Sequence, residues 1–462
     1  MAAARTSTRV AGGDAAPLAM LLEWVAGECG GKVSGARHVA GGNRYRSWAV
    51  DVDKGNGNTQ PVYLRHQLPR PASAEPYTLQ REALVYRAIT ARAENGTIRA
   101  PRLIAVHPEG HTVLCERVPG RAEFRRLTDP DHRITVVQDF VRAIAALHEL
   151  GVGELVLDGF DRHTTIARAV AHEIAVWRAM YEETRRSDPL IDFALAWLES
   201  NLPHPEAAAV LVHGDAGPGN FLFEGGRMTA LLDWELAHIG DPMEDIAWFT
   251  MRCVMEPVPD LAGRLREYEQ LRGQAIDRAR VLYHRVLVST RIVILRHRNV
   301  TGEPGNSIVS RGLNRRLVVV ALSAAEGTTL PPFVPVTAPE TDRGEYYDVV
   351  IEDLRAEMAE RSDDLNVIAA AKNAAKVLKY LRECDRLGPA IEAADVDALT
   401  TALGRHPASS LEGQVALVEG WRAGRIPSGA VLGTFHGIVN RAAQLSAASS
   451  GSIAGRTFPE LP

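Results

Sequence analysis

His213-Gly214-Asp215-Ala216-Gly217-Pro218-Gly219-Asn220 and, one short excursion later, Leu231-Leu232-Asp233-Trp234-Glu235 decide how this chain is read. Val210-Leu211-Val212 ahead of the first stretch reads as a short buried strand. Asn220–Phe223 and Met228–Leu232 read as the arms of a hairpin around Glu224-Gly225-Gly226. A path of loop, strand, turn and strand returns both ends to one cleft, so Asp215, Asn220 and Asp233 are expected to converge. That set suits transfer of a phosphoryl group from a magnesium nucleotide. The moving charge must be neutralised, and a hydroxyl acceptor must be oriented in line with it. Asp215 would accept or orient the hydroxyl, while Asn220 and Asp233 offer the oxygen ligands that Mg²⁺ prefers. The plainer alternative, a His-Gly-Asp turn with Asp233 as a local cap, explains each residue singly but not the glycines and hairpin between them.

Outward from this stretch the chain changes texture twice. Leu18–Ala26 reads as a short amphipathic helix, and glycines separate two candidate strands between His38 and Val52. Lys54–Thr59 is a Gly/Asn turn leading to a third strand, Pro61–His66. Thr78–Arg92 is helical by period, with Leu79, Ala83, Tyr86 and Ile89 near one face. Arg102–Val106 and Thr112–Arg117 form another strand pair, and Pro119-Gly120 closes a small β-rich lobe. Beyond it, Asp139–Leu150, Thr165–Glu183, Pro189–Ser200 and Asp260–Arg296 carry helical patterns, and Asp241-Pro242 opens a helix with acids in its first turn. Thr328–Glu340 has the composition of a linker. Tyr346–Ala359, Asp364–Cys384, Asp395–Leu403 and Leu411–Arg422 predict further helices, and the Ser/Gly/Pro-rich tail from Ala447 is expected to fray. The expected domains are an N-lobe over 1–117, a C-lobe with the catalytic and metal loops over 118–327, a linker over 328–345 and a helical accessory domain over 346–462.

Bulk composition narrows the partners. At 462 residues the chain exceeds one ordinary core. A net charge of -5 without a basic run gives no reason to expect a nucleic-acid partner. Cys29, Cys115, Cys253 and Cys384 lie far apart, as reduced structural thiols of a cytoplasmic protein would. The start lacks the apolar stretch of a signal peptide, and no apolar run reaches the roughly 20 residues that span a bilayer, so no membrane partner is expected.

His213-Gly214-Asp215, Asn220, Asp233-Trp234-Glu235 and Gly240-Asp241-Pro242-x-x-Asp245-x-Ala247 closely resemble the aminoglycoside phosphotransferase family, over roughly residues 20 to 325. Within that family, which includes the choline kinases, the chain is most similar to the branch resembling the kinase-like part of long acyl-CoA dehydrogenases. The resemblance implies an α+β, bilobal protein-kinase-like fold, a β-rich N-lobe and a mostly helical C-lobe, followed here by extra C-terminal helices. It also implies Mg²⁺ and ATP or GTP. Carried over by position, Asp215 matches the catalytic aspartate, and Asn220 and Asp233 match the metal ligands. Gly41-Gly42 begins the segment resembling the phosphate-covering loop; the Ser-Asn usual there is replaced by Arg44-Tyr45, while the Ser47 hydroxyl is kept. Arg65 stands where many kinases hold a phosphate-binding lysine and is implied to pair with Glu82, with Arg81 as the competitor for the phosphates. The backbone around Glu116 and Val118 is implied to meet the purine edge. His213 is expected to hold its loop, Trp234 to pack beside the metal loop, and Asp241 and Asp245 to brace it.

The acceptor is less legible. A cationic aminoglycoside wants an acidic wall. His284-Arg285, Arg291 and Arg296-His297-Arg298, beside apolar Val286–Val288 and Ile292–Leu295, favour an apolar or anionic hydroxyl compound. An amphipathic core helix with solvated arginines explains the same pattern. Tyr283, Trp177 and Tyr181 read either as pocket aromatics or as core. The expected function is an ATP- or GTP-dependent O-phosphotransferase acting on a small-molecule hydroxyl, not a strongly cationic one. The alternatives are a nucleotide-binding pseudokinase or regulatory module, and an antibiotic (aminoglycoside or macrolide) phosphotransferase. Residues 346–462 are open to three readings: a cover for the acceptor cleft, a homodimer surface, or an appendage that adds stability.

Overall fold

Strand alternation and one long helix build the N-terminal part. The computed structural model of the chain describes residues 15–39, 45–55, 57–67, 73–92, 97–155, 157–162, 165–203, 207–298, 305–453 and 455–462. The chain divides into two units. One runs to Asp161 and takes back His213–Asp215 and Gly219–His238; the other comprises Arg162–Val212, Ala216–Pro218 and Ile239–Pro462.

In the first unit, helix α1 (Ala15–Cys29) precedes strands β1 (Lys32–Val39), β2 (Tyr45–Asp53) and β3 (Thr59–Gln67). Helix α2 (Leu79–Arg92) separates them from β4 (Leu103–Val106) and β5 (Thr112–Glu116), and α3 (Pro130–Glu149) follows. The five strands form one antiparallel sheet in the order β1-β2-β3-β5-β4. Because side chains alternate faces along a strand, Trp48, Val50, Val52, Val62, Leu64 and Leu114 share one side, where they pack beneath Leu21, Val25 and Cys29 of α1. Each such side chain removed from water contributes about 1.5–3 kcal/mol. The register Ser47↔Arg65 then puts those two on the opposite side, toward α2.

The second unit receives α4 (Ile166–Glu182), α5 (Pro189–Ser200) and strand β6 (Val210–Val212). The chain returns to the first unit for the hairpin β7 (Phe221–Glu224) and β8 (Arg227–Leu231), which turns at Gly225-Gly226 as its glycines predict. Strand β9 (His238–Gly240), paired with β6, leads into α6 (Pro242–Met255), α7 (Leu261–Arg272), α8 (Arg278–Arg298) and α9 (Gly305–Glu326). Asp241 caps α6, accepting the Met243 N–H at 2.9 Å, with Pro242 in the first turn where its missing N–H costs nothing. Helix α8 runs through the interior, packed by α4, α5, α6 and α9. After an irregular stretch from Thr328 come α10 (Gly344–Asp353), α11 (Leu365–Leu403), α12 (Ser410–Arg422) and α13 (Ser428–Gln444).

Two expectations are corrected here. Asp364–Cys384 and Asp395–Leu403 are not separate helices but parts of α11, which continues through Pro389 for 39 residues. A proline inside a helix removes one hydrogen bond; buried Leu387, Ile391 and Leu399 keep the flanking turns seated. The tail does not fray. Phe458 and Leu461 are buried, Arg285 donates to the Pro459 carbonyl (2.8 Å), Arg278 to that of Leu461 (3.1 Å), and Arg456 to that of Met255 (2.6 Å). Composition hid this because two apolar side chains and borrowed arginines hold the tail. Among the described residues, no helix is long and apolar enough to cross a membrane.

Candidate functional site

The first unit gathers the residues singled out in both stretches. His213, fully buried, donates from Nε2 to the Leu232 carbonyl (2.9 Å) and accepts the Asp215 N–H at Nδ1 (3.3 Å). Both ring nitrogens are engaged with backbone, and the ring packs on Trp234 with centroids 4.5 Å apart. His213 is thus a clasp between two loops. Asn220, also buried, donates from Nδ2 to the Asp215 carbonyl (2.8 Å), and its own carbonyl accepts the Leu232 N–H (2.8 Å). These bonds lock Asp215, Asn220 and the approach to Asp233 into one piece.

Gly214 shows how closely the loops meet. Its φ is +78°, and an added Cβ would lie 2.2 Å from the Leu236 carbonyl oxygen. Only glycine combines that backbone with that approach. Asp233 itself adopts φ 66°, ψ 51°, a left-handed conformation that is uncommon outside glycine and that aspartate tolerates better than most. Non-glycine residues held there concentrate at functional sites.

Arg65 projects from β3 between two carboxylates. It forms a buried ion pair with Glu82 of α2 and reaches Asp233 Oδ1 at 3.2 Å. Glu82 is 1% exposed and also accepts the Tyr86 hydroxyl at 2.8 Å; Asp233 is 40% exposed. Burial works against the guanidinium charge, yet Glu82 and Asp233 outweigh it and hold the Arg65 pKa well above the ordinary value. Burial pushes the Glu82 carboxyl up, partly countered by Arg65. The Arg65 guanidinium also lies over the Tyr45 ring, 4.7 Å from its centroid.

The other expected residues are placed as follows. Ser47 is buried on β2 directly across from Arg65. Gly41 and Gly42 lie outside the described residues. Glu116 ends β5 with its N–H donated to the Arg102 carbonyl (2.9 Å), and Val118 follows in irregular backbone. Arg81, the competitor for the phosphates, is turned to structural contacts: Nε donates to the Ala237 carbonyl (3.4 Å), and the guanidinium sits 4.0 Å from the Phe160 ring centroid.

The donor set fits a hard cation. The Asn220 amide spends its nitrogen on Asp215, which leaves its oxygen as the acceptor, and Asp233 gives one oxygen to Arg65 and retains another. Among the described residues no group of three or more His, Cys, Asp or Glu is arranged for a metal. Magnesium in a nucleotide site takes few protein oxygens and fills the rest with phosphates and water.

Helix α8 resolves into the core reading. His284, Arg285 and Arg291 are buried. His284 Nε2 lies 3.0 Å from Asp241 Oδ2, and Arg280 binds both oxygens of the same carboxylate. Arg291 pairs with Glu244 and, at 2.9 Å, with Glu173, whose carboxylate also accepts the Trp177 indole N–H. Trp177 and Tyr283 are core, and the Tyr283 hydroxyl donates to the Leu198 carbonyl (2.9 Å). Spacing alone carried a signal for this network: Arg280, His284 and Arg291 repeat at four and seven on one helical face. Asp245, at the start of α6, is fully buried as a brace would be.

Comparison with known proteins adds the following. A family profile described as the phosphotransferase enzyme family, APH, matches residues 36–282, more than half of the chain. Acyl-CoA dehydrogenase family member 11 of Homo sapiens is 32% identical over 145 residues, 30% of this chain and 18% of that protein. The chain therefore matches about a fifth of the length of such relatives. Hygromycin-B 4-O-kinase of Escherichia coli is 28% identical over 155 residues, 29% of this chain and 44% of the kinase. Among solved structures, one from Ralstonia eutropha JMP134, named for a proposed aminoglycoside phosphotransferase, superposes with a TM-score of 0.51 at 20% identity, over 67% of this chain and 98% of that one. That likeness supports the α+β kinase-like fold.

Proposed function

This chain belongs to the phosphotransferase enzyme family, and from that premise we propose that it transfers the terminal phosphoryl group of Mg-ATP or Mg-GTP to a hydroxyl of a small molecule. The observation that carries the reading is Arg65, clasped between buried Glu82 and exposed Asp233 in the unit that also holds Asp215 and Asn220. A guanidinium pre-oriented by a buried carboxylate grips phosphate oxygens at little ordering cost. Asn220 and Asp233 would hold the magnesium, which when bound neutralises phosphate charge. Asp215, half-buried on a loop fixed through its own N–H and carbonyl, would orient the acceptor hydroxyl and take its proton as the new O–P bond forms and the bond to the bridging oxygen breaks, releasing the nucleoside diphosphate. Ser47 and the Gly41-Gly42 segment would cover the phosphates, and the Glu116–Val118 backbone would meet the purine. Residues 118–327 would complete the kinase body, and 346–462 would serve as an accessory domain.

The internal placement of the α8 cations withdraws one reason for excluding a cationic acceptor, so the acceptor is assigned only as a small-molecule hydroxyl. The test is a nucleotide-consumption screen over sterols, phenols, hydroxyacyl thioesters, macrolides and aminoglycosides. With the acceptor found, Asp215→Asn should lower kcat by roughly 10²–10⁴ with nucleotide affinity preserved. Near-wild-type turnover of that variant would remove Asp215 from its role, and no nucleotide consumption with any acceptor would favour a regulatory pseudokinase.

A further inference from the structure

Arg81 is only partly engaged by its structural contacts. Its Nε donates to the Ala237 carbonyl, and its planar face lies 4.0 Å from the Phe160 ring centroid and 5.9 Å from that of Tyr77. Both rings are buried, so the guanidinium rests on a fixed apolar seat. These contacts use one N–H and the faces of the group. A guanidinium carries five N–H donors, and those on Nη1 and Nη2 have no hydrogen-bond or ion-pair partner among the described residues. Nor is this edge sealed in. Arg81 is half-buried, and neither Nη is among the buried polar atoms left unpartnered.

That open edge has a fixed place. Ala237 closes the single 3-10 helical turn Trp234–Leu236 that begins at Asp233. The anchor of Arg81 therefore lies on the order of 8 Å along the backbone from Asp233, at about 2 Å per residue. Leu236, next to that anchor, is the residue against which Gly214 is pressed, and Asp215 follows Gly214. All of these residues belong to the first unit. The carboxylates there have other work. Glu82 and Asp233 hold Arg65, and in the phosphotransferase reading Asp233 also takes the magnesium and Asp215 the acceptor hydroxyl. Arg65 serves the nucleotide. Arg81 is a second cation beside it, with no carboxylate of its own among the described residues.

We propose that the Nη edge of Arg81 receives an anionic group of the acceptor, a carboxylate or a phosphate, and so selects hydroxyl compounds that carry negative charge near the reacting hydroxyl. The inference rests on the phosphotransferase reading and names the acceptor class which that reading leaves open. A guanidinium fork matches the paired oxygens of either group. Stacking on Phe160 holds the fork ready, so little freedom is lost on binding. A cationic acceptor would instead meet an unneutralised positive charge beside its hydroxyl. The terminal phosphate of the nucleotide is the other source of the same chemistry, and the test separates the two.

Inorganic phosphate is titrated calorimetrically into the full chain saturated with magnesium and a non-hydrolysable ATP or GTP analogue, which fills the γ-phosphate position. Wild type should bind phosphate, and Arg81→Gln should bind it about tenfold more weakly. Arg81→Lys, which keeps the charge, should lose less. Affinity for the Mg-analogue should be unchanged in both variants, and circular dichroism would verify that they fold. The proposal is overturned if loaded wild type takes up no phosphate, or if Arg81→Gln takes it up as well as wild type. Equal loss in both variants would leave Arg81 a packing contact and overturn it too. Weaker binding of Mg-ATP but not of Mg-ADP to Arg81→Gln would overturn the acceptor assignment in favour of the γ-phosphate. No analogue binding by wild type would overturn the phosphotransferase reading and this assignment with it, whereas no phosphate binding by the loaded chain would overturn this assignment alone.

Discussion

Arg65 touches two carboxylates that differ in exposure, and the difference separates their work. Glu82, 1% exposed, is a fixed strut that aims the guanidinium; Asp233, 40% exposed, keeps an oxygen for a ligand. The Arg65–Glu82 pairing was legible only through the family resemblance, whereas the return of Asp233 toward Asn220 was legible in the hairpin between them, whose Gly225-Gly226 turn is plain in the sequence. Arg81 was not legible: nothing local announces that Phe160 and the Ala237 carbonyl will take it. The tightest residue-scale constraint is Gly214. Gly214→Ala meets both a left-handed backbone and a carbonyl oxygen at 2.2 Å, so it should cost about 2 kcal/mol or more, and chemical denaturation would measure it. A neutral result would mean the two loops are not held against each other as described.

At the scale of elements, α6 and α8 are joined by buried charge. Burial alone would raise the Asp241 carboxyl, but His284 and Arg280 overcome it and hold it well below the usual range. A depressed carboxylate contributes stability that is complete above its unfolded pKa, about 3.9, and lost as pH falls through the folded value. The urea midpoint should therefore be flat from pH 7 to 5 and drop below about pH 4. Asp241→Asn should be less stable at pH 7 by about 3 kcal/mol, as when one partner of a buried pair is removed, and should show a shallower acid slope. An unchanged acid slope would remove Asp241 as its source. This network removes the α8 cations as grounds for a reading of the acceptor. The positive charges were visible in sequence, but their partners Glu173 and Glu244 come from α4 and α6, and no local pattern pairs them. The uninterrupted α11 was missed for a related reason, since Gly388-Pro389 is a stop signal that flanking burial overrides.

For the whole molecule, the kinase-like fold was legible because its deciding residues lie within short spans, whereas the seating of the tail depends on long-range contacts. Deleting residues 456–462 should expose the Phe458 and Leu461 seats and strip Arg285 of its Pro459 carbonyl and the Phe458 ring. At about 1.5–3 kcal/mol per buried apolar side chain, a loss of roughly 3 kcal/mol or more is expected in denaturant unfolding; an unchanged midpoint would show that the tail is not held. The assignment of activity rests on Arg65, Asp215, Asn220 and Asp233 of the first unit. Its most direct test is calorimetric titration of Mg-ATP and Mg-GTP into wild type and Asp233→Ala. Wild type should bind at least one nucleotide in a magnesium-dependent manner, and the variant should bind it at least tenfold more weakly or lose the magnesium dependence. Unchanged, metal-dependent binding in Asp233→Ala, or no nucleotide binding by wild type, would contradict the account.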